Sequence, residues 1–300
     1  METLPADFFV TSMQFTKRVS RDVYPAVDPS SPELSMAGKV VIITGASQGL
    51  GARGHAPAFA KAGAKAIVLV ARNVERLEAL AMELNRAFPQ VETLLFPADI
   101  SDSLRVKELY QRVNHTYGHA DILVNNAAIL KAEGPLQSLD PELWWDDLHV
   151  NARGTFLMTT NFLKSLPEES HGTIINLTSG MAYGIYPGNS AYSLGKLVNL
   201  QMAAYVAAES PNVTSVSLHP GIVHTNMTTQ SFKKFALDTP ELVGGVAVWL
   251  STEKAKFMNG RYMNVNWNVN DLYERREEIQ EGKLLQIDLR GNFGVEQFHD

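Results

Sequence analysis

The chain has 300 residues, 45% hydrophobic and 19% charged, the make-up of a soluble globular protein with a sizeable core. Its net charge of −6 argues against nucleic acid as a partner, and with no cysteine it has no disulfide, thiolate nucleophile or cysteine-based zinc site. No apolar run approaches a membrane span or a signal-peptide core, so a cytoplasmic enzyme is the expectation.

Residues 1–38 precede the first good strand. They mix Phe8, Phe9, Phe15 and Tyr24 with Pro25, Pro29 and Pro32, a proline density that opposes a long helix. The aromatic residues suggest an arm packed on the body or on a second subunit. Residues 39–270 then carry the folded domain, and 271–300 form a tail.

A strand is expected over Val40–Thr44. Gly45, Ala46, Ser47, Gln48, Gly49, Leu50 and Gly51 follow, then an alanine-rich helix over 52–62. Strand, glycine loop and helix in this order make a phosphate cradle. Glycines admit the pyrophosphate to the backbone, and the helix N-terminus offers free N–H groups. Pro57 inside that helix is unexplained. A second buried strand spans Ala66–Ala71, and Arg72 closes it where such folds read the adenosine ribose. An acid there would bind two ribose hydroxyls; Arg72 suits a 2′-phosphate, hence NADP(H).

Asn73 is a plausible cap for a helix running to Phe88. Thr93 to Pro97 forms the third strand. Asp99 at its end can accept a hydrogen bond from an adenine amino group, and Ser101 can cap the next helix, to Tyr117. A fourth strand ends in Asn125-Asn126-Ala127-Ala128, where small residues let backbone approach a ligand and the asparagines can tie strands together. A long helix is expected over 140–163 with Asn151 in its middle. Asparagine is a poor helix-interior residue, so it either caps a break or holds a water.

The fifth strand, 173–177, leads to Ser179. A helix over 191–208 carries Tyr192 and Lys196, four residues apart and therefore one turn apart on one face. An ammonium beside a phenol favours the phenolate, so the Tyr192 pKa should fall toward the range of a proton shuttle. Ser179 can offer a hydroxyl to the same substrate oxygen. A sixth strand over 213–218 leads into Pro220-Gly221-Ile222-Val223-His224-Thr225. A helix over 242–250 and a short strand near Tyr262 complete the body. Alternating strands and helices imply an α/β fold: one doubly wound parallel sheet of about seven strands with helices on both faces. Its ligands bind at the carboxyl ends of the strands, beside every polar group named above. No metal is expected, because Gly118 should end the helix that would pair His115 with His119, and no third ligand is near.

These residues resemble the short-chain dehydrogenase/reductase family, with the likeness covering about residues 37–269. The glycine loop from Thr44 to Gly51 is similar to its cofactor loop, and Asp99 to its adenine-contacting aspartate. Asn125 to Ala128 matches its Asn-Asn-Ala-Gly motif, except that Ala128 replaces the glycine. Asn151, Ser179, Tyr192 and Lys196 match its catalytic tetrad in type, order and spacing. Pro220, Gly221, Val223 and Thr225 fall on its nicotinamide-side loop. The arm and tail look similar to fungal members from secondary-metabolite pathways.

The resemblance implies that Tyr192 gives a proton to a carbonyl oxygen as hydride leaves the nicotinamide. Lys196 would hold the nicotinamide ribose, Ser179 the developing oxyanion, and Asn151 a water that relays protons. Cofactor contacts would come from Gly45, Ser47, Gln48, Gly49, Leu50, Gly51, Arg72, Asp99 and Asn125, with Tyr192 and Lys196. The alternative is a redox-silent member: a cyclase, a lyase or a cofactor sensor. Ala128 and the unusual run Arg53-Gly54-His55-Ala56-Pro57 leave room for it. The connection over 222–240 is long for this fold and suggests a flap. Tyr183, Tyr186, Met227 and Phe232 are the candidates for an apolar, fairly large pocket holding the carbonyl or alcohol of an apolar or polyketide-like metabolite. The family's habit of pairing long helices implies a homodimer or homotetramer.

Overall fold

A computed structural model describes residues 3–291 and 293–298. Seven strands form one all-parallel sheet in the order β3-β2-β1-β4-β5-β6-β7. They are β1 (Val40–Thr44), β2 (Ala66–Ala71), β3 (Glu92–Pro97), β4 (Ile122–Asn125), β5 (Gly172–Leu177), β6 (Val213–His219) and β7 (Tyr262–Asn264). Ten α-helices occur among the described residues. They are α1 (Phe8–Thr11), α2 (Ala56–Lys61), α3 (Val74–Ala87), α4 (Ser103–Tyr117), α5 (Pro141–Leu148), α6 (Thr155–Ser165), α7 (Ser190–Glu209), α8 (Pro240–Leu250), α9 (Val269–Glu274) and α10 (Arg276–Glu281). None is long and apolar enough to cross a membrane.

The inner strands β1 and β2 are buried on both faces, which is why they read as unbroken apolar runs. The period of two still divides them. Val41, Ile43, Ile67 and Leu69 point into one core with Phe59 of α2, Leu77 of α3 and Val246 of α8. Val40, Ile42, Val68 and Val70 point into the other with Leu109 of α4 and Phe162 of α6. The strand order reverses between β1 and β4, so the two loops leaving those strands diverge and open a crevice at the carboxyl edge.

Two expected helices are interrupted. Residues 52–62 do not form one α-helix: Gly51–His55 is a π turn in which the Ala56 N–H reaches back to the Gly51 carbonyl, and α2 follows. Pro57 therefore enters in the first turn of α2, where a missing N–H is tolerated. The long helix over 140–163 is likewise α5, a π turn over His149–Gly154, then α6, with Asn151 inside the turn. The next cap also differs. Asp102, not Ser101, accepts the Leu104 and Arg105 N–H groups at the start of α4, because the Ser101 hydroxyl is spent on Asp99.

The arm lies on the body. Val27 and Leu34 are buried, Arg18 pairs with Asp271, and Arg21 pairs with Asp238. It meets α8 at a pair of glycines. A Cβ on Gly245 would stand 2.2 Å from the Val27 carbonyl, and one on Gly244 would stand 2.2 Å from the Gly54 carbonyl in the π turn. Only glycine permits backbone contact on both sides.

His55 is fully buried, and neither ring nitrogen has a partner. Burial alone pushes its pKa down to about 3. Between that value and the ordinary 6.5, the unfolded chain binds a proton that the folded chain refuses, so stability falls as pH drops through this window. From pH 6.5 to 4.5 the loss should reach about 2 kcal/mol. Chemical denaturation at both pH values checks it: His55→Leu should flatten the acid loss by about one proton, and parallel curves for variant and parent would refute this.

Candidate active site

The loop after β1 begins with Gly45 at φ +64°, a conformation that L side chains resist. A Cβ there would also stand 2.8 Å from the Ala127 Cα in the loop after β4. The two loops thus touch at backbone level. The Asn126 amide donates to the Thr44 and Gly45 carbonyls at 2.8 and 3.2 Å and holds them together. Ala128 has no left-handed backbone, so the family glycine is not needed there.

A cleft of about 320 Å³ runs along this junction. Gly45, Ser47, Gln48, Gly49 and Leu50 line its middle. Arg72 and Asp99 line one end, and Tyr192, Lys196, Pro220 and Thr225 the other. Four expected contacts fall elsewhere. Gly51 lies behind the loop, its Cα packed under the Gly45 carbonyl. The Asn125 amide is buried and donates to Thr159 Oγ1 at 3.1 Å and Asn176 Oδ1 at 2.8 Å, so it ties β4 to β5 and α6 rather than facing the cleft. Gly221 and Val223 line the adjoining pocket instead.

At the first of these ends, Arg72 Nη1 lies 3.8 Å from Asp99 Oδ2. Partial burial opposes charge on Asp99, but the Ser101 hydroxyl and backbone N–H, with Arg72, hold its carboxyl below the ordinary range. The reading of the sequence missed Arg76. It lies one helical turn beyond Arg72, lines the same cleft and bonds Gln48 Oε1. The signal was present in the spacing of four across the Asn73 cap, whose side chain accepts the Arg76 N–H at 2.8 Å.

At the other end, α7 is pinned to β5. Lys196 Nζ donates to the Leu177 carbonyl at 2.7 Å, and Thr178 Oγ1 donates to the Lys196 carbonyl at 3.0 Å. Lys196 Nζ lies 5.6 Å from the centre of the Tyr192 ring, and Ser179 hydrogen-bonds the Tyr192 phenol. The expected fall in the Tyr192 pKa is not found. Burial pushes it up to about 12 against the opposing Ser179 bond, and burial pushes Lys196 down to about 8. Removal from water disfavours the charged form of both groups, and at 5.6 Å the ammonium does not offset it.

Asn151 neither lines the cleft nor caps a helix. Its Oδ1 accepts the Ile129 N–H and its Nδ2 donates to the Ile129 carbonyl, both at 2.8 Å. Together with Asp147, which accepts the Lys131 and Ala132 N–H groups, it holds the loop after β4 against the helix. π turns of this kind recur at functional sites.

A second pocket of about 200 Å³ adjoins the cleft. Ser179 and Tyr192 line it, together with Tyr186, Met227 and Phe232. It is smaller than the fairly large pocket expected. Tyr183 does not line it: its ring meets Tyr262 edge-on at 5.2 Å, on the wall of a separate apolar cavity of about 1220 Å³ under residues 285–290. Phe9 and Met13 of the arm and His219 at the end of β6 also line the small pocket, and no sequence pattern marks them. Among the described residues, no group of three or more His, Cys, Asp or Glu is placed to hold a metal.

Comparison with known proteins bears on this arrangement. Residues 39–235 match the family model for short chain dehydrogenase. The chain belongs to the short-chain dehydrogenase family. Short chain dehydrogenase mpl6 of Monascus purpureus is 35% identical over 291 residues, covering 94% of this chain and 99% of that protein. A short chain dehydrogenase structure from Bacillus anthracis is 31% identical with a TM-score of 0.69, covering 77% and 95% of the two chains. A Shigella flexneri protein of the same assignment, complexed with NADP, shares the fold at a TM-score of 0.71 and 24% identity, covering 78% and 99%. The likeness to fungal members thus extends through the arm and tail, since mpl6 aligns well beyond the family match. Members of this family are oxidoreductases that act on CH–OH and C=O groups with a nicotinamide cofactor, and the residues of the cleft fit such a group. The glycine loop leaves room against Ala127 that a Cβ would fill, and a guanidinium pair and an aspartate line one end of the same cleft.

Proposed function

We propose that the chain reduces a ketone, or oxidises the matching secondary alcohol, with NADP(H). One observation carries this reading: Tyr192 lines both the cleft and the adjoining pocket, so a single hydroxyl faces the place of a dinucleotide and the place of a substrate. The bound nicotinamide would supply or take the hydride. Tyr192 holds the proton that the carbonyl oxygen needs, and a phenol pushed up to about 12 stays protonated at neutral pH, as reduction requires. Ser179 donates to the same oxygen as its charge grows. Lys196 stands behind the phenol and orients the ribose. Asn151 acts as a positioning residue through the loop after β4. Arg72 and Arg76 face the 2′-phosphate, which favours NADP(H) over NAD(H).

The direct test is oxidation of NADPH, followed by its absorbance, with a panel of aryl and cyclic ketones. Tight NADPH binding with no turnover on any carbonyl would favour a redox-silent member of the fold. A pH profile probes the proton path. Lys196 loses its proton near pH 8, so the reduction rate should be level below that value and fall about tenfold per unit above it. A rate level through pH 9.5 would put Lys196 outside the path.

A homo-oligomer is also proposed. Trp145 of α5, Phe156 of α6, and Leu194, Val198 and Tyr205 of α7 are exposed large hydrophobic residues on the helices that the family pairs. Sedimentation as a monomer at micromolar concentration would refute this.

A further inference from the structure

One wall of the substrate pocket comes from outside the family match, which begins at residue 39. Phe9 and Met13 of the arm line it beside Met227 and Phe232. Both are firmly placed. The Phe9 ring meets Phe235 edge-on at 4.8 Å and Phe232 at 5.6 Å, so the arm packs on the flap. The Met13 carbonyl accepts the Trp267 indole N–H at 2.8 Å, and its sulfur takes the Tyr183 hydroxyl at 3.8 Å. The bridge between Val19 and Trp267 and the Arg18–Asp271 pair anchor the chain just behind.

His219 lines the same pocket at the end of β6, only 9% exposed. Its ring stacks on Tyr262 with centroids 6.2 Å apart, and its Nδ1 has no partner. Its Nε2 lies 3.9 Å from where a Cβ on Gly180 would stand, next to Ser179. Met13 Sδ approaches the same point at 3.5 Å. Nδ1 is closed off from solvent, so Nε2, the ring atom beside the Ser179 turn, is the one that a ligand in this pocket can reach. Burial pushes this imidazole down to about 4, so it is neutral at physiological pH and offers one donor and one acceptor. Such a group matches a hydroxyl or carbonyl oxygen rather than an anion.

We propose that Phe9, Met13 and His219 form the recognition end of the substrate pocket, which takes a compact aromatic ketone bearing a second oxygen. The ring lies against Phe9 and Met13, and the second oxygen meets His219. The volume of about 200 Å³ limits the body to one or two rings. The ketone rests on the redox reading above; the recognition does not.

The test therefore reads binding without turnover. Calorimetric titration of 1-tetralone and its four ring-hydroxylated isomers into the full chain gives Kd values, with thermal melts checking folding. At least one hydroxylated isomer should bind ten-fold or more tighter than the parent. His219→Leu should erase that gain and leave the parent within about threefold, and His219→Asn should restore part of it. Phe9→Ala and Met13→Ala, at partly exposed positions, should weaken parent and isomers alike by several-fold, which keeps the test open if His219→Leu fails to fold. No binding by any of the ketones, equal binding of parent and isomers, or arm variants without effect would each overturn the proposal. Binding as described with no NADPH oxidation would instead overturn the redox reading alone.

Discussion

Tyr192→Phe is expected to lower kcat for ketone reduction by about 10³-fold, the range for loss of a positioned general acid. The substitution removes one oxygen. It leaves the ring that lines the cleft and the pocket, so NADPH affinity should change less than twofold. The phenol bonds Ser179, whose hydroxyl also accepts the Met181 N–H at 3.2 Å and so stays fixed. Stopped-flow reduction together with NADPH fluorescence titration separates the two effects. Ser179→Ala should cost less, about 10–10²-fold, because one donor to the oxygen remains. A Tyr192→Phe enzyme that keeps a tenth of its rate would remove the tyrosine from the chemistry.

Replacing Arg72 and Arg76 together by alanine should raise KM for NADPH by about 10²-fold and leave KM for NADH nearly unchanged. Each guanidinium can make charge-assisted bonds to a phosphate, worth about 1.5–3 kcal/mol in favourable settings. Arg72 is 67% exposed at its side chain, so the lower end applies, about tenfold per residue. Each single variant should show roughly that tenfold. The pair is used because the two contributions add, and their sum gives the widest separation between NADPH and NADH. Steady-state kinetics with both cofactors decides it, and an equal rise for NADH and NADPH would mean that the arginines serve the fold or the shared diphosphate.

The parts of the site legible in the sequence were those set by local geometry. Tyr192 and Lys196 share a face because a helix repeats every 3.6 residues, and the glycine loop announces itself between a strand and a helix. What a residue of the right type does after folding was less legible. The amide of Asn125 was spent on Thr159 and Asn176, partners 34 and 51 residues away. Tyr183 and Tyr186 are three positions apart and both line the large cavity, yet only Tyr186 also reaches the small pocket, a distinction that their spacing does not report. The proton affinities of Tyr192 and Lys196 followed from burial, which spacing does not report. Phe9, Met13 and His219 meet only through tertiary packing, and no window of sequence contains all three.

The paired glycines of α8 carry a practical lesson for anyone who randomises this protein. Positions 244 and 245 line none of the cavities described above, so a survey ranked by distance from the chemistry would treat them as free. Yet a single methyl group at either would wedge apart backbones on opposite flanks, one leading to the glycine loop and the other to the arm beside the small pocket. Libraries that spare these two sites should hold far more active clones than libraries that do not, and drift at Gly245 should disturb substrate preference before it disturbs cofactor use.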